Sequence, residues 1–138
     1  MANEANIRTS LQIRKGNVVY QSQPTGFAAD ITGTAKGPTP GAISVAVTGT
    51  NVDLSQLTTP GLCRIQNLDE TNYITVGIYD GVSFFPLMEL LPDESFVIRL
   101  FRFIGDEYVG TGTPADVNYL RIKADTAACV ALVEAFEK

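Results

Sequence analysis

Apolar and polar residues alternate in short runs along most of this 138-residue chain, and turn residues break the runs at close intervals. Alternation puts every second side chain on one face, as in a half-buried strand. Closely spaced turns between such runs are the signature of an all-β sandwich or barrel. Residues 8–14 set Leu11 and Ile13 on one face. Lys15-Gly16-Asn17 then turns tightly into Val18-Val19-Tyr20, which predicts a first hairpin. Residues 27–32 read as an extended stretch whose pairing stays open.

Gly33, Gly37, Gly41, Pro38 and Pro40 crowd residues 33–42, a density that predicts a loop or extended arm. Ile43, Val45 and Val47 then alternate with Ser44, Ala46 and Thr48 as a half-buried strand, followed by a turn at 48–51. Val52, Leu54 and Leu57 form a short connector. In the middle third, Cys63 and Ile65 alternate with Arg64 and Gln66. Ile74, Val76 and Ile78 share one face of residues 72–79, with Tyr73, Thr75 and Tyr79 on the other. After a turn at Asp80-Gly81, residues 84–91 return as a partner strand in which Pro86 predicts an edge or a bulge. Residues 96–103 follow, with Phe96, Ile98 and Leu100 inward. The expectation for these four segments is a meander of antiparallel neighbours.

Residues 105–116 read as a flexible acidic loop around Tyr108 and Val109, and residues 117–123 as a strand with Leu120 and Ile122 inward. The last segment, 127–138, fits two templates. Cys129, Leu132, Val133 and Phe136 make a helical face, whereas Val130, Leu132 and Phe136 fit one face of a strand. The strands around it favour a closing strand. The chain is therefore expected to be a single all-β domain. Residues 1–42 would be an N-terminal hairpin and Gly/Pro-rich arm, and residues 43–138 an antiparallel β-sandwich core.

Composition sharpens this picture. Hydrophobic residues make up 45% and charged residues only 18%, so much of the surface is neutral, and it is either buried against partners or simply covered by Ser, Thr, Asn and Gln. The net charge is −5 and the longest basic feature is Arg14-Lys15, which argues against nucleic acid as a partner. No run approaches the roughly 18 apolar residues of a membrane helix. The polar start of the chain lacks the regions of a secretory signal, so synthesis in the cytoplasm is expected. Cys63 and Cys129 sit in apolar segments and read as small buried hydrophobes. With no histidine and no CxxC, zinc is not expected, nor is any other cofactor.

Catalytic chemistry is hard to find. Without histidine there is no Ser-His or Cys-His pair, and the nucleophile, phosphate-loop and metalloprotease motifs are all missing. The acidic doublets Asp69-Glu70, Asp93-Glu94 and Asp106-Glu107 fall in turns, where carboxylates ordinarily serve the turn itself. Asp53, Asp80 and the Asp106-Glu107 loop offer oxygens for calcium but lack EF-hand spacing. Tyr73 and Tyr79 could be cross-strand packing, a protein interface or, less readily, a sugar platform. The expectation is a protein that is not an enzyme.

Three stretches share a recognisable pattern: Gly61-Leu-Cys-Arg-Ile-Gln-Asn-Leu-Asp69, Thr71-Asn-Tyr-Ile-Thr-Val-Gly77, and residues 84–100 with Phe-Pro and Leu-Pro-Asp-Glu. Together with Lys123-Ala-Asp-Thr-Ala-Ala128, they resemble small virion proteins of tailed bacteriophages over residues 43–135. The resemblance implies a jelly-roll-like β-sandwich that assembles into the particle. Capsid decoration (cement) is the leading placement, and a tail, head-tail connector or fibre component the next. It further implies self-association, with a trimer favoured, and contact with the major capsid protein or other virion proteins. The contact candidates are Tyr73, Tyr79 and Phe84, with Gly37, Pro38 and Pro40 in a bridging arm. A carbohydrate-binding module is the alternative from a different class.

Overall fold

The computed structural model describes residues 4–30, 36–101, 107–108 and 116–138. All regular elements among them are strands, and every strand pairing is antiparallel. The chain divides into two compact units, Met1–Thr34 and Ala35–Lys138.

In the first unit, β1 (Ala5–Thr9) pairs with β4 (Thr25–Ala29), and β2 (Gln12–Lys15) with β3 (Val18–Gln21). The predicted hairpin is thus present, and the stretch from Phe27 finds its partner in β1. Gly16 takes the positive φ, 56°, that a two-residue hairpin loop requires. Leu11 and Ser22 link the two ladders: the Ser22 N–H donates to the Leu11 carbonyl (2.9 Å) and the Leu11 N–H to the Ser22 hydroxyl (2.8 Å). The unit is therefore one long two-stranded ribbon with a one-residue register shift. Register puts Ile7 with Phe27 and Ile13 with Tyr20. Alternation along the first strand places Ile7, Leu11 and Ile13 on the same face. Leu11, Ile13, Val18, Tyr20 and Phe27 are all exposed.

The second unit is built from β5 (Thr39–Val45), β6 (Thr50–Asn51), β7 (Pro60–Asn67), β8 (Ile74–Tyr79), β9 (Phe84–Leu90), β10 (Ser95–Arg99), β13 (Tyr119–Ala124) and β14 (Cys129–Glu137). A small ladder, β11 (Glu107–Tyr108) with β12 (Asp116–Val117), intervenes between β10 and β13. One four-stranded sheet runs β10-β7-β14-β5 and the other β6-β13-β8-β9. Counting the eight main strands in chain order, each pairs with its mirror image: first with last, second with seventh, third with sixth, fourth with fifth. Val45, Cys63, Ile65, Ala131 and Val133 of one sheet share a buried cluster with Ile74, Val76, Leu120 and Ile122 of the other.

Several expectations need correction. Only β8 and β9 form the expected hairpin. β7 pairs with β10 and β14 instead of β8, because consecutive segments alternate between sheets and bury their apolar faces against one another. The meander is therefore wrong. Residues 39–42, assigned to the arm, lie within β5. Pro40 is tolerated because β5 is an edge strand. The chain end is a strand, as favoured, but its buried face is Cys129, Ala131, Val133 and Ala135, and Val130 is exposed. Large side chains marked the wrong face, since small ones fill the space between facing sheets. Pro86 sits on an edge strand beside a bulge, as predicted. The loop residues 102–106 and 109–115, Phe103 and Asp106 among them, lie outside the described residues, as do residues 33–35.

Candidate functional site

β8 and β13 pair with Tyr119 opposite Tyr79 and Arg121 opposite Gly77, and β9 brings Phe84 opposite Tyr79. Register therefore gathers two of the three aromatic candidates, Tyr79 and Phe84, on the outer face of one sheet. The Phe84 ring lies across Gly77, where a Cβ would stand 2.8 Å from the ring and in collision with the Phe85 carbonyl. Gly77 is what lets the aromatic lie flat on the strand.

Cations complete this surface. The Arg121 guanidinium stands 4.1 Å from the Tyr79 ring centroid, and the Lys123 ammonium 5.5 Å from that of Phe84. Both distances suit attraction to the ring face. Arg121 is held from the far side, donating to Asn51 Oδ1 (2.9 Å) and to the Thr48 carbonyl (3.0 Å), and it lies across Gly49 where no side chain obstructs it. The Tyr79 hydroxyl donates to the Gly81 carbonyl at 2.7 Å. Tyr119 lies 6.4 Å from Tyr79 between ring centroids. The cation over Tyr79 occupies a face on which a sugar would stack.

Tyr73 stands apart. It precedes β8, and its phenol hydrogen-bonds Asp125, whose bond and charge push the Tyr73 pKa up. Along a strand, six residues span about 20 Å, so Tyr73 and Tyr79 make no common platform.

Gly37, Pro38 and Pro40 run along β14. The Glu137 N–H donates to the Lys36 carbonyl (3.1 Å), Pro40 is in register with Glu134, and a Cβ on Gly37 would meet the Ala135 carbonyl at 2.5 Å. A cleft of about 330 Å³ opens beside Asp53, Leu57 and Tyr119. The Asp53 carboxylate there is engaged by Ser55, whose hydrogen bonds hold its pKa down.

Two polar residues escaped sequence reasoning. Asn67 is fully buried, and its amide donates to the carbonyls of Asn72 (2.8 Å) and Leu90 (3.1 Å). Glu137, 6% exposed, accepts from the Thr58 and Thr59 amides at 2.9 and 2.8 Å. Asp69 serves its own turn, accepting from the Thr71 and Asn72 amides, which lowers its pKa to about 2. The Asn-Leu-Asp and Thr-Asn-Tyr stretches are thus a hydrogen-bonded corner.

The thiols are buried and free. Burial, aided by the Glu134 charge, pushes Cys63 up to about 12. Burial also raises Cys129, with the nearby Asp69 carboxylate adding to it. Among the described residues no group of three or more His, Cys, Asp or Glu is placed to hold a metal ion, and no helix is long and apolar enough to cross a membrane. Comparison with protein-family models, curated proteins and solved structures finds no match to this chain.

Proposed function

We propose that this chain is a non-enzymatic structural protein of a tailed-phage virion, a capsid decoration protein that assembles with itself and stabilises the shell. The observation that carries the reading is apolar surface left open. Among the described residues, more large hydrophobic side chains are exposed than buried, and where such side chains lie together on one surface they suit association.

The architecture adds support by analogy. Mirror-image pairing of eight strands in two sheets is the order obtained when one long hairpin is rolled up, and we read it as a jelly-roll β-sandwich. Viral capsid domains use that fold, as do lectins and cupins, so the fold alone names no function. The low charge content points the same way as the exposed surface, since interface cores are depleted of charge. On a shell, each subunit would gain avidity from several contacts at once.

Mass spectrometry of purified particles tests the placement, and solution mass by light scattering tests the assembly. A trimer found in particles supports decoration of a three-fold position, while a hexameric or larger ring moves the protein to the tail or connector. Absence from particles rejects the virion reading.

A further inference from the structure

We infer that the N-terminal ribbon of one copy docks its apolar face into the open edge between the two sheets of a second copy. The inference rests on the reading of the chain as self-assembling.

The ribbon cannot stand on its own packing. A two-stranded hairpin is marginal in water at best, and no described residue in residues 4–30 is buried. Yet its sequence is patterned for burial on one side. Ile13 and Tyr20 are paired across the ribbon and 44% and 52% exposed, with Leu11 and Phe27 also open on that face. A face with this alternation in an antiparallel ladder is ordinarily packed against something.

The acceptor is the side where β9 and β10, consecutive strands, are each the unpaired edge of their sheet. Phe85 is in register with Ile78, and Phe96 with Ile65, so both aromatics point toward the space between the sheets. Inward residues there should be covered, but Phe85 is 53% and Phe96 50% exposed. Along β10, burial rises through Ile98 to Leu100 at 7%. The inward row of β10 is thus open at Phe96, beside the β9–β10 turn, and closed at its other end. That of β9 is closed at Leu90 beside the turn and open at Phe85, about 17 Å along the strand. The opening at Phe96 is the acceptor. Pro86 and the bulge beside it blunt the β9 backbone against strand addition, so the occupant enters by side chains.

Charge suits a ribbon tip as that occupant, and the self-assembling reading makes it the tip of another copy. Arg14 and Lys15 make the ribbon tip basic, whereas Asp93 and Glu94 make the turn between β9 and β10 acidic, with Glu89 near the end of β9. Two ribbon tips would repel each other, and a tip beside this turn is attracted. Each copy gives one ribbon and receives one, a head-to-tail contact that closes into a ring when the rotation permits.

The test places a photo-crosslinking amino acid at Tyr20 in the full chain and mixes ¹⁴N- and ¹⁵N-labelled copies. Isotopically mixed crosslinks from position 20 to peptides within residues 84–101 are expected. Crosslinks confined to one copy, or joining two ribbons, overturn the inference. In parallel, Ile13→Asp and Phe96→Asp should each raise the dissociation constant of the oligomer about tenfold or more, with the strand signal in circular dichroism retained. Val47→Asp, at a 42% exposed position just after β5, the edge strand opposite β10 in its sheet, should leave it unchanged. Loss of assembly with Ile13→Asp but not Phe96→Asp also overturns the docking site. A protein monomeric at all concentrations overturns this inference while its presence in particles can still hold, so the two failures are separable.

Discussion

The side-chain amide of Asn67 donates to the Leu90 carbonyl at 3.1 Å and so bonds a strand of one sheet to the edge strand of the other. The same nitrogen reaches the Asn72 carbonyl, while Asn67 Oδ1 accepts from the Asp69 amide at 3.0 Å. One fully buried side chain thereby joins both sheets and the corner between β7 and β8.

Asn67→Ala should accordingly lower stability by about 2 kcal/mol, since the buried Leu90 carbonyl and the part-buried Asn72 carbonyl lose their donor and an orphaned buried group costs about 1–3 kcal/mol. Asn67→Asp, nearly isosteric, should be no better because it removes the donor and buries a carboxyl. Urea unfolding gives the check: the midpoint falls with little change in slope. A loss under about 1 kcal/mol for Asn67→Ala would mean that water replaces the amide.

Asp69 gives the corner a pH dependence. Its folded pKa, about 2, lies below the ordinary aspartate value. The stability it contributes is therefore present above about pH 4 and is lost as pH falls through about 2. Asp53 and Asp80 are lowered by similar local bonds and add to the same slope. Asp69→Asn should flatten the fall in urea midpoint between pH 4 and 2 while barely altering that between pH 6 and 8. An unchanged slope would place the acid sensitivity elsewhere.

Gly77→Ala tests the aromatic surface. The added Cβ collides with the Phe85 backbone carbonyl as well as the Phe84 ring, so a destabilisation of about 1–3 kcal/mol is expected. Phe84→Ala in the same chain should restore little, because a backbone atom makes the closer contact. Full rescue would show that the ring alone sets the limit.

How much of this was legible beforehand follows from what alternation encodes. It fixes which residues of a strand share a face, so Cys63 with Ile65, Ile74 with Val76, and Leu120 with Ile122 were readable. Pro86 announced its edge because proline removes a ladder donor. Pairing between distant strands was not legible, since any strand offers the same backbone groups. β7 meets β14 across some 70 residues, as the Arg64–Glu134 ion pair of 2.6 Å does. The cation surface was hidden for the same reason: Arg121 and Lys123 are ordinary outward residues until β13 is laid beside β8. Asn67 and Glu137 could not be told from solvated polar residues, because their burial comes from other segments.

Glu137 closes the chain end by accepting from two successive amides, Thr58 and Thr59, which lie far from it in sequence. Glu137→Ala should cost about 2–3 kcal/mol, as charge-assisted bonds are worth more than neutral ones. Because the effect is local, hydrogen exchange should speed up first at Thr58 and Thr59, ahead of global unfolding.

The two thiols supply a probe of opening. With Cys63 raised to about 12, only about one molecule in 10⁴ carries its thiolate at pH 8, and burial shields both sulfurs. Cys63 lies beside Ala135 on β14, six positions from Cys129, so the pair is separated by about 20 Å, beyond disulfide reach. Native protein should therefore resist iodoacetamide and form no intramolecular disulfide under mild oxidation, then label at both cysteines in urea. Labelling of Cys129 alone under native conditions would show that the β14 end opens before the core. Labelling of both at one slow common rate would show that the core of this unit opens as a whole.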